Sequence, residues 1–177
     1  MKKTALLVCA CAVAVAMPLA GAQARTAARA TAAPSGLDKE WLMTSMQGDL
    51  SEVMGGRVAL KLSRDKAVVK LARTLIKDHS QSFKKASTLA RQLGVDVPKA
   101  PTFSQQWALK MLSTLRGRAF NHWYSTFEAY DHEQDISETT GEVRDGSLDA
   151  VRMEAKDDLP MLQRHLKLAQ AALRANP

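Results

Sequence analysis

Cysteine is nearly absent. The 177-residue chain has two, Cys9 and Cys11, both close to its start. Beyond Cys11 there is no thiolate for a cysteine-type zinc site or iron–sulfur cluster, no cysteine nucleophile and no disulfide. Aromatic residues make up only 5% of the chain, and no basic run carries interleaved aromatics. That argues against nucleic acid as a partner, although the formal net charge is +7. No strand-like alternation of apolar and polar residues runs far enough to build a sheet. No serine lies in a nucleophile-elbow sequence, and no glycine-rich loop is built to hold phosphate. One long hydrophobic run exists, residues 5–20, and it is short for a spanning helix of about 20 residues.

That run sits in a recognisable frame. Lys2 and Lys3 precede it, and Ala22-Gln23-Ala24 follows with small residues where a signal peptidase reads. We expect a secretory signal over residues 1–24, cleaved after Ala24, which places the mature protein in the periplasm or outside the cell. Val8 before Cys9 is too large, and the apolar stretch before either cysteine too short, for a usual lipid-attachment site. Cleavage removes two lysines and no acid, so the mature chain stays net positive and suits anionic envelope polymers or lipid head groups. Residues 25–36 (RTAARATAAPSG) lack large apolar side chains and read as a flexible linker.

Residues 37–177 read as all-α, with one domain and four long amphipathic helices. Apolar residues spaced by three and four predict helices over 37–62, 65–93, 118–140 and 147–175. A short extra helix over 105–115 lies between the second and third, and Gly117 interrupts it. Gly94, Pro98 and Pro101 stop the second long helix, Gly141 to Gly146 forms the last turn, and Ser147 caps the fourth. Pro160 removes one backbone donor inside that helix and should kink it. Such helices make a four-helix bundle ~35–45 Å long. The second-to-third connection either crosses back over the bundle or is a hinged extension of the third helix.

Polar residues interrupt the apolar stripes at a few points. His79 has Leu75, Ile76 and Phe83 one turn away, and His132 shares a face with Tyr124, Glu128 and Ile136. A buried imidazole needs a hydrogen bond, a carboxylate or a metal. Glu52 is flanked by Gly48, Gly55 and Gly56, which suit close approach of another backbone or of a ligand. Counted from the turns, Glu52, His79 and His132 fall within ~5 Å of one level. His165 falls ~13–15 Å away, nearer Asn121 and His122, and leaves Glu154 or Asp158 as the fourth-helix partner. Donors of these types suit zinc, copper, iron, manganese or nickel. The other reading is a hydrogen-bonded core network. The methionines outside the leader are spaced as core filler rather than as a soft-metal path.

Four stretches in order carry a family resemblance: Gly48-Asp-Leu-Ser-Glu52-Val, Ala72-Arg-Thr-Leu-Ile-Lys-Asp-His79-Ser, Gly117-Arg-Ala-Phe120-Asn-His-Trp-Tyr124 with His132, and Leu159-Pro160-Met-Leu-Gln-Arg-His165-Leu. From Asp38 to Ala169 the chain resembles the bacterial domain of unknown function 4142 family. Its members are often labelled predicted outer-membrane proteins and grouped with ferritin-like bundles. The resemblance implies a ferritin-like fold, an exported protein, and Glu52, His79, His132 and His165 as recurrent polar positions. It implies no established activity. The family's aspartate after the third-helix phenylalanine is Asn121 here. The Glu-x-x-His pairs of di-iron carboxylate proteins are absent too, because Ile76, Ala129 and Leu162 stand three residues before the histidines.

The sequence therefore leads to an exported bundle of unknown activity that binds a divalent transition metal or small ligand at a core cluster of Glu52, His79, His132, His165 and Asp158. The alternative is a structural or stress-related envelope protein, with an enzyme of unknown reaction third. Export has a direct check: N-terminal sequencing of protein from periplasmic extracts should begin at Arg25, and an intact Met1 start would contradict cleavage.

Overall fold

Two polar clasps fix where the first helix begins and where the last turn closes, and one carboxylate serves both. The structure is a computed structural model and describes residues 33–177. The expected signal and all but the end of the expected linker lie outside the described residues. Helix α1 spans Gly36–Leu62. Ser35 caps it, with the Ser35 hydroxyl accepting from the Asp38 amide at 3.2 Å and Asp38 Oδ2 accepting from the Ser35 amide at 2.6 Å. The Asp38 carboxylate also accepts from the Ser147 amide (2.9 Å), the Ser147 hydroxyl (2.5 Å) and the Leu148 amide (3.2 Å).

Helix α2, Lys66–Gln92, starts under Asp65, whose carboxylate accepts from the amides of Ala67 and Val68. It stops at Gly94, where φ is +68°. There the Val95 amide reaches back to the Ala90 carbonyl at 2.8 Å and the Gly94 amide to Arg91, which closes the helix end as expected. The short helix α3 is Phe103–Leu112, two residues earlier than expected at its start because Thr102 and Gln105 form its capping box. Helix α4 is Gly117–Asp145 and α5 is Asp149–Ala175. No strand occurs among the described residues. No described helix is long and apolar enough to cross a membrane.

Two expectations need correction at the last turn. Helix α4 runs through Gly141 to Asp145, five residues beyond the expected end at Thr140. A side chain at Gly141 would meet nothing within 4 Å, so this glycine imposes no turn. The break comes at Gly146, where the Glu142 carboxyl lies across the space a side chain would fill. Ser147 does not cap α5 either; its amide and hydroxyl are both spent on Asp38, and Leu148 stands at the cap without a side-chain bond. Pro160 lies inside an α5 that is helical on both sides of it.

The long helices pack as two hairpins, α1 on α2 and α4 on α5, joined where α2 meets α5 and α1 meets α4. Two apolar clusters fill the interior. One joins Ala59, Leu71, Leu75, Phe120, Tyr124 and Ala172. The other joins Trp41, Leu42, Met46, Ala86, Ala90 and Val151, with Leu93, Val95 and Val97 packed on it. Helix α2 thus ends in the second cluster while α4 begins in the first. The connection between them, carrying α3 across α1 and α4, travels the length of the interior and is a crossing rather than a hinge.

Burial disfavours ionising Asp38, but the donors from Ser147, Ser35 and Leu148 outweigh it and hold the group well below the ordinary carboxylate range. Its contribution to stability is therefore present above pH ~4 and lost as the pH falls through the lowered native value. Asp38→Ala should destabilise the fold by ~3 kcal/mol at pH 7 by stranding buried amides. In denaturant titrations the gap to wild type should narrow below pH ~4; a gap independent of pH would show that the anion contributes nothing.

Candidate metal centre

On each long helix polar residues interrupt or follow the apolar part of the buried face, and the polar parts coincide at one level. Helix α1 brings Asp49, Ser51 and Glu52 between Met46 and Ala59, and α2 brings His79 and Ser82 between Leu75 and Ala86. Helix α4 brings Ser125, Glu128 and His132 beyond Tyr124; α5 brings Asp158 and His165 between Ala155 and Ala169. Glu52, His79, His132 and His165 are each at most 2% exposed. The sequence expected His165 outside this level, beside Asn121 and His122, and that is corrected. Asn121 instead binds the Asn176 side chain and His122 the Asn176 carbonyl. The error came from the turn: with α4 ending at Asp145, His132 lies about 13 residues before that end. His165 lies about 16 after Asp149, a mismatch of only ~4.5 Å.

The three imidazoles converge. Their ring centroids are 5.0 Å (His79–His165), 5.3 Å (His132–His165) and 5.6 Å (His79–His132) apart. One nitrogen of each ring faces outward onto an oxygen: His79 Nδ1 to Asp49 Oδ1 at 2.8 Å, His132 Nδ1 to the Glu128 carbonyl at 2.8 Å, and His165 Nε2 to Asp78 Oδ2 at 3.0 Å. A carbonyl can only accept, so His132 Nδ1 carries the proton and Nε2 is a bare lone pair. That Nε2 is buried and has no partner. His79 Nε2 and His165 Nδ1 are hydrogen-bonded to each other at 3.2 Å, one donating according to its tautomer; with both outer oxygens accepting instead, the two would face each other as lone pairs. Two ligand nitrogens on a tetrahedral ion at ~2.0–2.1 Å stand ~3.3 Å apart, close to this spacing. The three histidines form a donor group with all ligand atoms within 4.8 Å of one another.

The imidazoles are built to stay neutral. Burial lowers His79 to about 4. Burial and then the charge of His79 lower His132 to about 3 and His165 to about 4. Asp49 is pushed the other way, upward, chiefly by burial. Without a cation the Asp49–His79 pair is driven toward its neutral forms; a cation on the far nitrogen would favour the carboxylate.

A second group shares His132: Glu52, Glu128 and His132 also place donor atoms within 4.8 Å of one another. No oxygen of either carboxyl has a hydrogen-bond partner, and both side chains are at most 1% exposed. Burial, followed by the charges of Glu128 and Asp131, raises Glu52 well above its ordinary value. Burial raises Glu128 to about 8, with Asp131 adding to it. Asp158 belongs to neither group. It accepts from the Ser82 hydroxyl at 3.4 Å and lines a cavity of ≈ 20 Å³ with Asp49, His79 and Asp135. That volume holds about one water or ion.

Glu52 therefore lies beside His132, as expected, and His165 replaces Glu154 or Asp158 as the α5 contribution. Sequence reasoning passed over Asp49 and Asp78 and used Glu128 only as a network partner. The signals were there: Asp49 is three residues from Glu52, Asp78 adjoins His79, and Glu128 lies one turn from His132. The glycines divide. A side chain at Gly56 would meet the Ala72 carbonyl at 2.9 Å, so this is a helix contact. One at Gly55 would come 3.4 Å from Glu128 Oε1 and crowd the site, while Gly48 has open space.

The fold has a solved counterpart. It is similar to the crystal structure of a DUF305 fragment from Deinococcus radiodurans, with a TM-score of 0.71 and 11% identity. The match covers 81% of this chain and 99% of that one, and at this identity the likeness is one of fold. No curated protein matches the sequence. A family model does, over residues 23–172, nearly the whole described chain. The family resemblance read from the four sequence stretches is thereby borne out, and the chain belongs to the family described as Domain of unknown function (DUF4142).

Proposed function

We propose that this protein is an exported four-helix bundle of ferritin-like topology whose core binds a divalent transition metal through His79, His132 and His165. The observation that carries the reading is the orientation of three rings from three helices. Each turns one nitrogen inward and anchors the other on an oxygen. Outer hydrogen bonds of this kind fix the tautomer and raise the basicity of histidine ligands. Three imidazoles with Asp49 and Asp78 behind them suit zinc, copper, iron or nickel, and manganese less well. The two-hairpin packing with a lengthwise crossing supports the ferritin-like topology.

A purely structural role for the cluster fits less well. A hydrogen-bonded core network stabilises only when its members are satisfied. Here His132 Nε2, Tyr124 Oη and the four oxygens of Glu52 and Glu128 have no partner. The leader-like start supports export to the periplasm or beyond. The positive charge supports association with an anionic envelope, and no feature points to nucleic acid.

The test uses the chain from Arg25, which holds every residue of both apolar clusters. Zinc(II) calorimetry should show tight binding that His79→Ala and His165→Ala each weaken by at least ~100-fold, with Asp49→Asn and Asp78→Asn costing ~10–100-fold. Because the folded imidazoles protonate only near pH 3–4, this affinity should persist to pH ~5.5, below the ordinary histidine value of ~6.5, and fail as the pH approaches 4. Wild type that takes up no zinc, or binding untouched by the histidine substitutions, would sink the proposal.

A further inference from the structure

We infer that the core holds two cation positions rather than one, the second formed by the carboxylates of Glu52 and Glu128 on the far side of His132. The inference rests on the histidine reading above and adds a separate site to it. The five side chains do not make one shell. They fall into two groups that meet only at His132, each compact enough for a single ion. His132 has one free nitrogen, since the other is bound to the Glu128 carbonyl. It therefore ligates one ion at a time, and an ion on the histidines leaves the carboxyl pair unserved.

The fold gives that pair no counter-charge among the described residues. Glu52 is 1% exposed and Glu128 fully buried, on helices α1 and α4 that face each other. Among the described residues no lysine or arginine pairs with either; the groups that face them besides His132 are each other, Tyr124 and Asp131, none of which is a cation. Asp131 Oδ2 and Tyr124 Oη, also buried and unpartnered, belong to side chains that act on both carboxyls. As two anions buried together, Glu52 and Glu128 would be unfavourable without a counter-charge, and a divalent ion between them would supply that charge in full. Gly55 keeps the space open: its absent side chain would lie 3.1 Å from Leu109 and 3.4 Å from Glu128 Oε1. Oxygen donors make this the harder position, open to manganese or iron as well as zinc, while the imidazole position favours zinc, copper or nickel. Neither is the paired Glu-x-x-His arrangement, which this chain lacks.

Equilibrium dialysis of the chain from Arg25 against zinc(II), followed by elemental analysis, counts the positions. Wild type should hold two equivalents. Glu52→Gln and Glu128→Gln should each hold one and keep the tight affinity of the histidine position. His79→Ala should also hold one, of the weaker kind, and His79→Ala combined with Glu52→Gln none. Wild type saturating at one equivalent that is lost in His79→Ala but kept in Glu52→Gln would overturn the second position and leave the histidine reading standing. Wild type holding none would overturn both. The glutamine variants preserve shape, and their helical circular dichroism checks folding.

Discussion

Removing ionisable groups from water in the middle of the structure is the constraint on which the rest depends. Three imidazoles and several carboxyls sit between two apolar clusters, where none would be stable as an isolated charge. The fold meets that cost in part by hydrogen bonds, His79 to Asp49 and His165 to Asp78, and in part by protonation shifts. The burial that lowers the histidines raises Glu52, Glu128 and Asp49. An apolar stripe without interruption would make a more stable bundle. All four long helices nevertheless carry buried polar residues at one level.

Much of this was legible in the chain, for reasons that separate cleanly. Helices α1 and α2 were readable because caps and stripes are local: Asp65, Gly94 and the apolar three-and-four spacing act within a few residues. His79 and His132 were readable as inward-facing because a helix fixes direction relative to its own neighbours. His165 was misplaced because its height depends on where the chain turns, and Gly141 is as common a turn signal as Gly146. What decided between them was Asp38, more than a hundred residues away, whose carboxylate gathers the amides of Ser147 and Leu148. No local pattern carries that information. The same holds for the outward partners of the imidazoles. Asp49 and Asp78 sit at helical spacings that permit a role, but only the packing of α1 on α2 and of α2 on α5 assigns it.

The two apolar clusters divide the work differently. The one around Phe120, Tyr124 and Leu71 closes the end where α1 turns into α2 and α3 arrives. The one around Trp41 and Val151 closes the end held by Asp38. The Trp41 indole, which donates to the Thr139 hydroxyl at 3.2 Å, tethers α1 to α4 close to that second end. The polar level thus lies between two apolar clusters, and a small cavity lined by Thr44, Glu138 and Asp49 adjoins His79.

The crossing connection gives the centre a place in time as well as in space. Each hairpin can form from contacts close in sequence, but neither holds a complete donor group. His79 and Glu52 lie in the first hairpin, while Glu128, His132 and His165 lie in the second. The donor groups come into being only when the hairpins dock, after the long connection has closed its loop. Closing that loop carries an entropy cost that grows only slowly with its length, and the contacts that offset it lie between the hairpins. The polar level is therefore a property of the docked hairpins and of neither one alone.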